Sequence, residues 1–344
     1  MNGRETRARR ASSPAARTYP CLAGLRTKPS DYEVTTTALL YYPDRGFEVK
    51  TPVWQHYVEH QRQGQLCSEQ WDSFRDPAHT TYSSYVAERR DQEVFLDRAF
   101  ALAPSPLAPE LEPLLGFISA LRFPLHGLQM TAAYVGALAP SGRISVAAAF
   151  QAADELRRVQ RLCQWLSRSG RPLDALDALG RELWQAAPEL QPLRRGVERL
   201  LVTYDWGVAL IALNGVLKPL LEQLCFVRLA EVARRHREDV LAQTLTSLAD
   251  DGRGHAAWFM ALLRQLIAER PRNALVIAER LAEARPRFTE ATCAVVELLG
   301  SVLGDAQERQ RVTRELAAAL EQHLAPLELG PDAGDEGRRR GVTA

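Results

Sequence analysis

The chain has few of the residues on which metal sites, disulfides and membrane spans depend. It has seven histidines and five cysteines in 344 residues, and no two cysteines form a Cys-x-x-Cys pair. This scatter argues against a zinc site and against a disulfide framework. The longest stretch without Arg, Lys, Asp or Glu, residues 123–142, is interrupted by proline and glycine. No bilayer span is predicted, and we expect a cytoplasmic protein that has no membrane partner.

The sequence also lacks an excess of charge of either sign. It has 43 basic and 42 acidic residues, which gives a formal net charge of +1. A chain without a basic field has no general attraction for nucleic acid, so we expect no nucleic-acid partner.

Common catalytic motifs are missing as well. The sequence has no P-loop, no GxGxxG motif after a strand, no GxSxG elbow and no HExxH helix. A cysteine nucleophile with a distant histidine stays open, because such partners meet only in the fold.

What is present divides the chain into four segments. Residues 1–16 are predicted to be a disordered tail, residues 17–93 an extended arm with short helices, residues 94–328 a helical domain, and residues 329–344 a second disordered tail. The arm is rich in aromatic residues that must be buried against something, and another subunit is one candidate. Within the arm, Asp76 and His79 enclose a proline, which favours a turn or a helix start.

The helical domain shows apolar residues at helical spacing and no alternation typical of strands. Its long predicted helices cover residues 109–138, 145–167, 173–185, 193–213 and 219–249, and shorter ones cover residues 256–269, 273–284 and 290–303. This pattern predicts an all-α fold, an antiparallel bundle of the kind that also hosts carboxylate-bridged di-iron sites.

Such a site needs Glu-x-x-His on two helices, and this chain has none. The residues three positions before the seven histidines are Val53, Tyr57, Asp76, Phe123, Ala233, Gly252 and Leu320. Two places could be remnants of a site. Glu155 is followed three positions later by Arg158, a cation, which favours an ion pair or a solvated helix face over a metal ligand. Asp251 and His255 stand four apart around two glycines, which favours a structural role or a helix break before Ala256. The sequence predicts no catalytic, cofactor-binding or metal-binding residue in this chain.

Several segments, in order along the chain, carry a resemblance to a known family. They are RTKPSDYEVTTTALLYYPDRGFEV (26–49), FRDPAHTTYSSY (74–85), LQMTAAYVGALAPSGRIS (128–145), QAADELR (151–157) and YDWGVALIALNGVLKP (204–219). Together they resemble the beta subunit of the hydroxylase of bacterial toluene/alkene multicomponent monooxygenases. The resemblance covers about residues 17–303.

This resemblance implies a ferritin-like fold with no cofactor of its own. It implies an alpha subunit that carries the di-iron centre, a gamma subunit, and an (alpha-beta-gamma)₂ assembly. The assembly would work with an effector protein and an NADH-dependent electron-transfer chain, and it would insert oxygen from O₂ into aromatic hydrocarbons or alkenes. Whether the isolated chain is itself an enzyme stays open. The alternatives are a phenol- or methane-type hydroxylase beta subunit, a divergent di-iron oxygenase with unusual ligands, and an unrelated helical adaptor.

Five aromatic residues are predicted to be buried in packing or at a subunit interface, because large rings dominate such contacts. They are Trp54, Trp71, Tyr82, Tyr85 and Trp206.

Overall fold

A computed structural model of the chain describes residues 28–38, 64–102 and 109–329. In these residues the secondary structure is helical throughout, without a strand, which confirms the predicted all-α fold. The helices are α1 (Asp31–Ala38), α2 (Tyr82–Leu102), α3 (Glu112–Leu138), α4 (Gly142–Ser167), α5 (Leu173–Ala186), α6 (Gln191–Leu201), α7 (Trp206–Arg235), α8 (Asp239–Glu269), α9 (Pro271–Leu298), α10 (Gly300–Leu303) and α11 (Ala306–Leu324).

The centre of the fold is a four-helix bundle. Helix α3 packs along α4, α4 against α8, α8 against α7, and α7 back against α3. Helices α5, α6, α9 and α11 surround this ring, so α3 and α7 are buried on most sides. Large rings fill the interior, including Trp165, Phe226, Phe259 and Phe288. The ferritin-like bundle expected from the resemblance is therefore the observed architecture.

Side-chain caps explain where two of the four bundle helices begin. The Ser141 hydroxyl accepts a hydrogen bond from the backbone N–H of Arg143 at the start of α4. Asp205 Oδ1 accepts from the backbone N–H groups of Gly207 (2.8 Å) and Val208 (3.0 Å) at the start of α7. These caps satisfy amide groups that a helix start leaves without an intrahelical partner.

Two predicted helices differ from the observed ones in the region of α7. The predicted helix 193–213 is in fact two helices, because the chain leaves the helical path at residues 202–205. The predicted helix 219–249 is wrong at both ends. Pro219 lies inside α7, directly after a π-helical turn (Leu213–Leu217) in which the regular i→i−4 pairing is already interrupted. Helix α7 ends near Arg237, whose φ of 57° turns the chain without a glycine.

The helix break predicted before Ala256 is also wrong, because α8 continues through Gly252 and Gly254. In the arm, helix α2 runs through the predicted division at residue 93. The rest of the predicted domain division stays a prediction, and the tails 1–16 and 330–344 lie outside the described residues.

Among the described residues, helix α7 is long and apolar enough to span a bilayer. Of its most apolar window, 72% is buried inside the bundle, which is typical of a core helix.

Candidate functional site

Charged side chains meet in the middle of the four-helix bundle, and we call them the central charge cluster. Its members are Asp154, Glu155, Arg157 and Arg158 of α4, Lys218 and Glu222 of α7, Asp251 and His255 of α8, and Arg89 of α2. Most are almost completely buried, and Glu155 and Arg158 are fully shielded from solvent. Charges this deep are costly unless they are paired and hydrogen-bonded.

The inner half of the cluster pairs two cations with two carboxylates. Lys218 Nζ lies 2.6 Å from Glu155 Oε1 and 2.6 Å from Glu222 Oε1. Arg158 donates to both oxygens of Glu155, at 3.1 and 3.0 Å, and also to Glu222. Its guanidinium also donates to the backbone oxygen of Leu248 at 3.1 Å. The ion pair expected between Glu155 and Arg158 is therefore present.

The outer half joins α8 and α2 to the same network. His255 Nε2 lies 2.9 Å from Asp154 Oδ2, and Arg89 Nε donates to Asp154 Oδ1 at 2.8 Å. Arg89 also reaches Asp251 at 2.9 Å, and Arg157 pairs with the other oxygen of Asp251. The structural role predicted for Asp251 and His255 thus has a definite form: both side chains hold α8 against α4 and α2.

The surroundings shift the pKa values of three groups in the cluster. Burial alone would raise the pKa of Glu222, but the charges of Lys218 and Arg158 outweigh it and lower the pKa to about 2. Burial, with the charge of Lys218, lowers the pKa of His255, so its imidazole is neutral near pH 7. Burial and the neighbouring charge of Asp154 raise the pKa of Asp251 to about 6. The cluster contains four acidic side chains, Asp154, Glu155, Glu222 and Asp251, and four basic ones, Arg89, Arg157, Arg158 and Lys218. At its edge, Glu93 also pairs with Arg157 at 2.7 Å.

The residues at this site do not fit a di-iron centre. Such a centre takes a carboxylate from each of two helices and Glu-x-x-His from each of the other two. Helix α4 offers Glu155 with Arg158 in the histidine position, and α8 offers His255 with Gly252 in the glutamate position. Helix α3 has no Asp or Glu after Glu112 at its first turn. A Cβ atom at Gly252 would lie 2.4 Å from Glu222 Oε2, so this carboxylate occupies the space of any larger residue there.

The backbone of α7 is irregular next to the central charge cluster. Two π-helical turns, Leu213–Leu217 and Gln223–Arg228, flank the helical turn of α7 that carries Lys218 and Glu222. Turns of this kind are rare and occur often at functional sites. They direct the two side chains of α7 into the bundle.

The aromatic residues predicted at packing or interface positions lie in different surroundings. Trp206 is buried, and Trp71 packs edge-on against it with ring centroids 5.6 Å apart. Tyr85 stacks on Phe150, and its hydroxyl donates to Asp154 at 2.9 Å, so it belongs to the edge of the central charge cluster. Tyr82 is 71% exposed on α2, and Trp54 lies outside the described residues. Their role at a subunit interface stays a prediction.

Sequence analysis missed Lys218 and Glu222. A signal was available for Lys218, because it is one of three lysines and the first charged residue after Asp205 in an apolar stretch of α7. The predicted turn at residues 76–79 is present, with Asp76 accepting from the backbone N–H groups of Ala78 and Thr80.

The fold and the site define a class of protein: a ferritin-like helical bundle whose interior holds a network of paired charges. A family model described as Methane/Phenol/Alkene Hydroxylase matches residues 44–270. The chain is 30% identical, over 90% of its length and 98% of the relative's, to the toluene-4-monooxygenase system hydroxylase component subunit beta of Ectopseudomonas mendocina. The chain belongs to the methane/phenol/alkene hydroxylase family.

Further relatives agree with this family. The propane 2-monooxygenase hydroxylase component small subunit of Mycolicibacterium goodii is 29% identical over 45% of this chain and 44% of its own. A chain in a structure of toluene 4-monooxygenase with toluene in its resting active site has a TM-score of 0.70 at 27% identity, covering 86% of this chain and 99% of that one. Phenol hydroxylase from Pseudomonas sp. OX1, pressurised with xenon, shares the fold with a TM-score of 0.72 at 19% identity, covering 94% and 98%.

Proposed function

We propose that this chain is the non-catalytic beta subunit of a multicomponent monooxygenase hydroxylase. It would support an alpha subunit that carries the di-iron centre, in a cytoplasmic complex that inserts oxygen from O₂ into aromatic hydrocarbons or alkenes. The supporting observation is the central charge cluster, in which Arg158 and Lys218 neutralise the carboxylates that would otherwise be free to bind iron. No cofactor would then be held by this chain, and its contribution to the complex would be structural.

The similarity to a toluene-4-monooxygenase beta subunit over nearly the full length favours the toluene branch over the phenol or methane branch. Membership of the hydroxylase family removes the reason for considering an unrelated adaptor. The (alpha-beta-gamma)₂ stoichiometry, the effector protein and the NADH-dependent electron-transfer components are part of the proposal. Binding of the partner subunits would stabilise the fold of each by mass action.

The test is to purify the full chain alone and after co-expression with candidate alpha and gamma subunits, measuring iron content and mass in solution. We expect the chain alone to lack iron, and the co-expressed chain to enter an iron-containing hexamer. Stoichiometric iron on the isolated chain would instead support the divergent di-iron oxygenase.

The predicted interface can be tested in the same assembly. Tyr82 of α2 is 71% exposed in the part of the chain that the structure describes, so Tyr82→Ala should leave the isolated chain as stable as before while weakening its assembly. Leu173→Ala, which changes another residue that is more than half exposed, is the matched control. Equal assembly of the two variants would remove Tyr82 from the interface.

A further inference from the structure

Lys218 is the cation at the centre of the inner network. Lys218 is 2% exposed, and its ammonium group lies 2.6 Å from a carboxylate oxygen of Glu155 and 2.6 Å from one of Glu222. His255 completes a set of three: one possible ligand atom from each of Glu155, Glu222 and His255 lies within 4.8 Å of the other two. Side chains of three different helices thus lie close together, and the ammonium group of Lys218 supplies a positive charge among them.

The free nitrogen of His255 is a separate observation that points to a ligand. Its Nε2 atom lies 2.9 Å from Asp154 Oδ2, so this nitrogen already has a carboxylate partner. Nδ1 is buried and has no hydrogen-bond partner among the described residues. A histidine whose second nitrogen donates to a carboxylate is the usual arrangement of a metal-binding imidazole.

We propose that Lys218 keeps a latent single-metal site closed. With the ammonium group removed, Glu155, Glu222 and His255 would bind one divalent transition-metal ion such as Co²⁺ or Zn²⁺. Carboxylate oxygens and imidazole nitrogens are ordinary ligands of these ions, with bonds of about 2.0–2.2 Å. The three ligand atoms already lie within 4.8 Å of one another, so a small side-chain shift would bring all of them to one ion.

Removal of Lys218 would leave an excess of negative charge in the central charge cluster. Its four acidic side chains would then face three arginines, which favours the binding of a cation. Arg158 would stay between Glu155 and Glu222 on the other side and exclude a second ion. The proposal concerns residues of this chain alone, and its outcome does not depend on the subunit role proposed above.

The experiment is a Co²⁺ titration of the full chain and of Lys218→Ala, followed by the visible absorption of bound cobalt and by equilibrium dialysis. We expect Lys218→Ala to bind one Co²⁺ per chain at least about tenfold more tightly than the unmodified chain, since an ammonium group within a few ångströms strongly opposes a cation. Lys218→Arg, which keeps the charge, should behave as the unmodified chain does.

The control variant Lys218→Ala/Glu155→Gln keeps the shape of the site but removes one charged ligand, so it should lose the tight binding. If Lys218→Ala folds only when Co²⁺ is present, the recovery of circular dichroism with one equivalent of metal also supports the proposal. If it does not fold under either condition, the same titration of Lys218→Gln decides, because the amide still donates to the carboxylates but has no charge. The absence of tight binding in both variants, or equally tight binding by the unmodified chain, would overturn the proposal.

Discussion

Two glycines of α8 provide the sharpest test of the packing at the central charge cluster. Gly252 and Gly254 stand two positions apart in the same helix interior. Gly254 is exposed and has open space where a Cβ would be, whereas a Cβ at Gly252 would lie 2.4 Å from Glu222 Oε2. The intrinsic helix preference for alanine is about equal at both positions, so the surroundings decide any difference.

We expect Gly254→Ala to raise the free energy of unfolding by up to about 1 kcal/mol, the helix-propensity gain of alanine over glycine. Gly252→Ala has the same gain but must displace the Glu222 carboxylate, which can move only by weakening its bonds to Lys218 and Arg158. Overpacking of this kind costs about 1–3 kcal/mol, so Gly252→Ala should be net destabilising.

Urea unfolding of the full-length variants, followed by far-ultraviolet circular dichroism, measures both changes by linear extrapolation. Combining Gly252→Ala with Glu222→Ala completes a double-mutant cycle, in which removal of the carboxylate should relieve part of the cost of the added methyl group. If the two single variants differ by less than about 0.5 kcal/mol, the ordinary range of neutral surface substitutions, the close approach of Glu222 to α8 would be refuted.

Three further predictions follow from the same contacts. Arg158→Met leaves buried carboxylates without one of their cations and should lower the free energy of unfolding by about 3–5 kcal/mol in the same urea assay. Arg194→Ala breaks an exposed ion pair with Glu198 and should lower it by about 1 kcal/mol or less. The folded pKa of Glu222, about 2, lies below its ordinary value of 4.5. The contribution of this carboxylate to the free energy of unfolding is therefore complete above pH 4.5 and is lost as the pH falls towards 2. Glu222→Gln should flatten the loss of stability between these pH values, and an unchanged slope would contradict the pairing. Asp205→Ala removes the cap of α7 and should cost about 0.5–2 kcal/mol by thermal unfolding, whereas Asp205→Asn should retain most of it.

The periodicity of apolar residues was sufficient to predict the bundle, but not how α7 and α8 are divided. Proline and glycine mark the breaks around α3, α4 and α5, where the predicted bounds agree closely with the observed ones. Pro219 led to a wrong helix boundary. The preceding π-helical turn accommodates a residue without a backbone N–H inside α7, and helix propensities do not reveal such a turn. The end of α7 at Arg235 has no glycine or proline to mark it, and the chain turns two residues later at Arg237, which has a positive φ.

The central charge cluster shows what a single sequence cannot provide. Glu155 and Arg158 could be paired from their spacing on one helix, because residues three apart share a face. The contact between Asp154 and His255 joins positions 101 residues apart, and only the packing of α4 against α8 brings them together.

The buried charges themselves argue that the cluster is more than a stabilising device. Replacing a buried ion-pair network with apolar residues of similar volume is often neutral or stabilising, so stability alone does not account for so many charges inside a bundle. In this chain the network brings together Glu155, Glu222 and His255, residue types that bind metal in di-iron bundles, and places Lys218 and Arg158 beside the two carboxylates. Lys218 and Arg158 each pair with both Glu155 and Glu222, so loss of either cation leaves these buried carboxylates with one cationic partner where the network provides two.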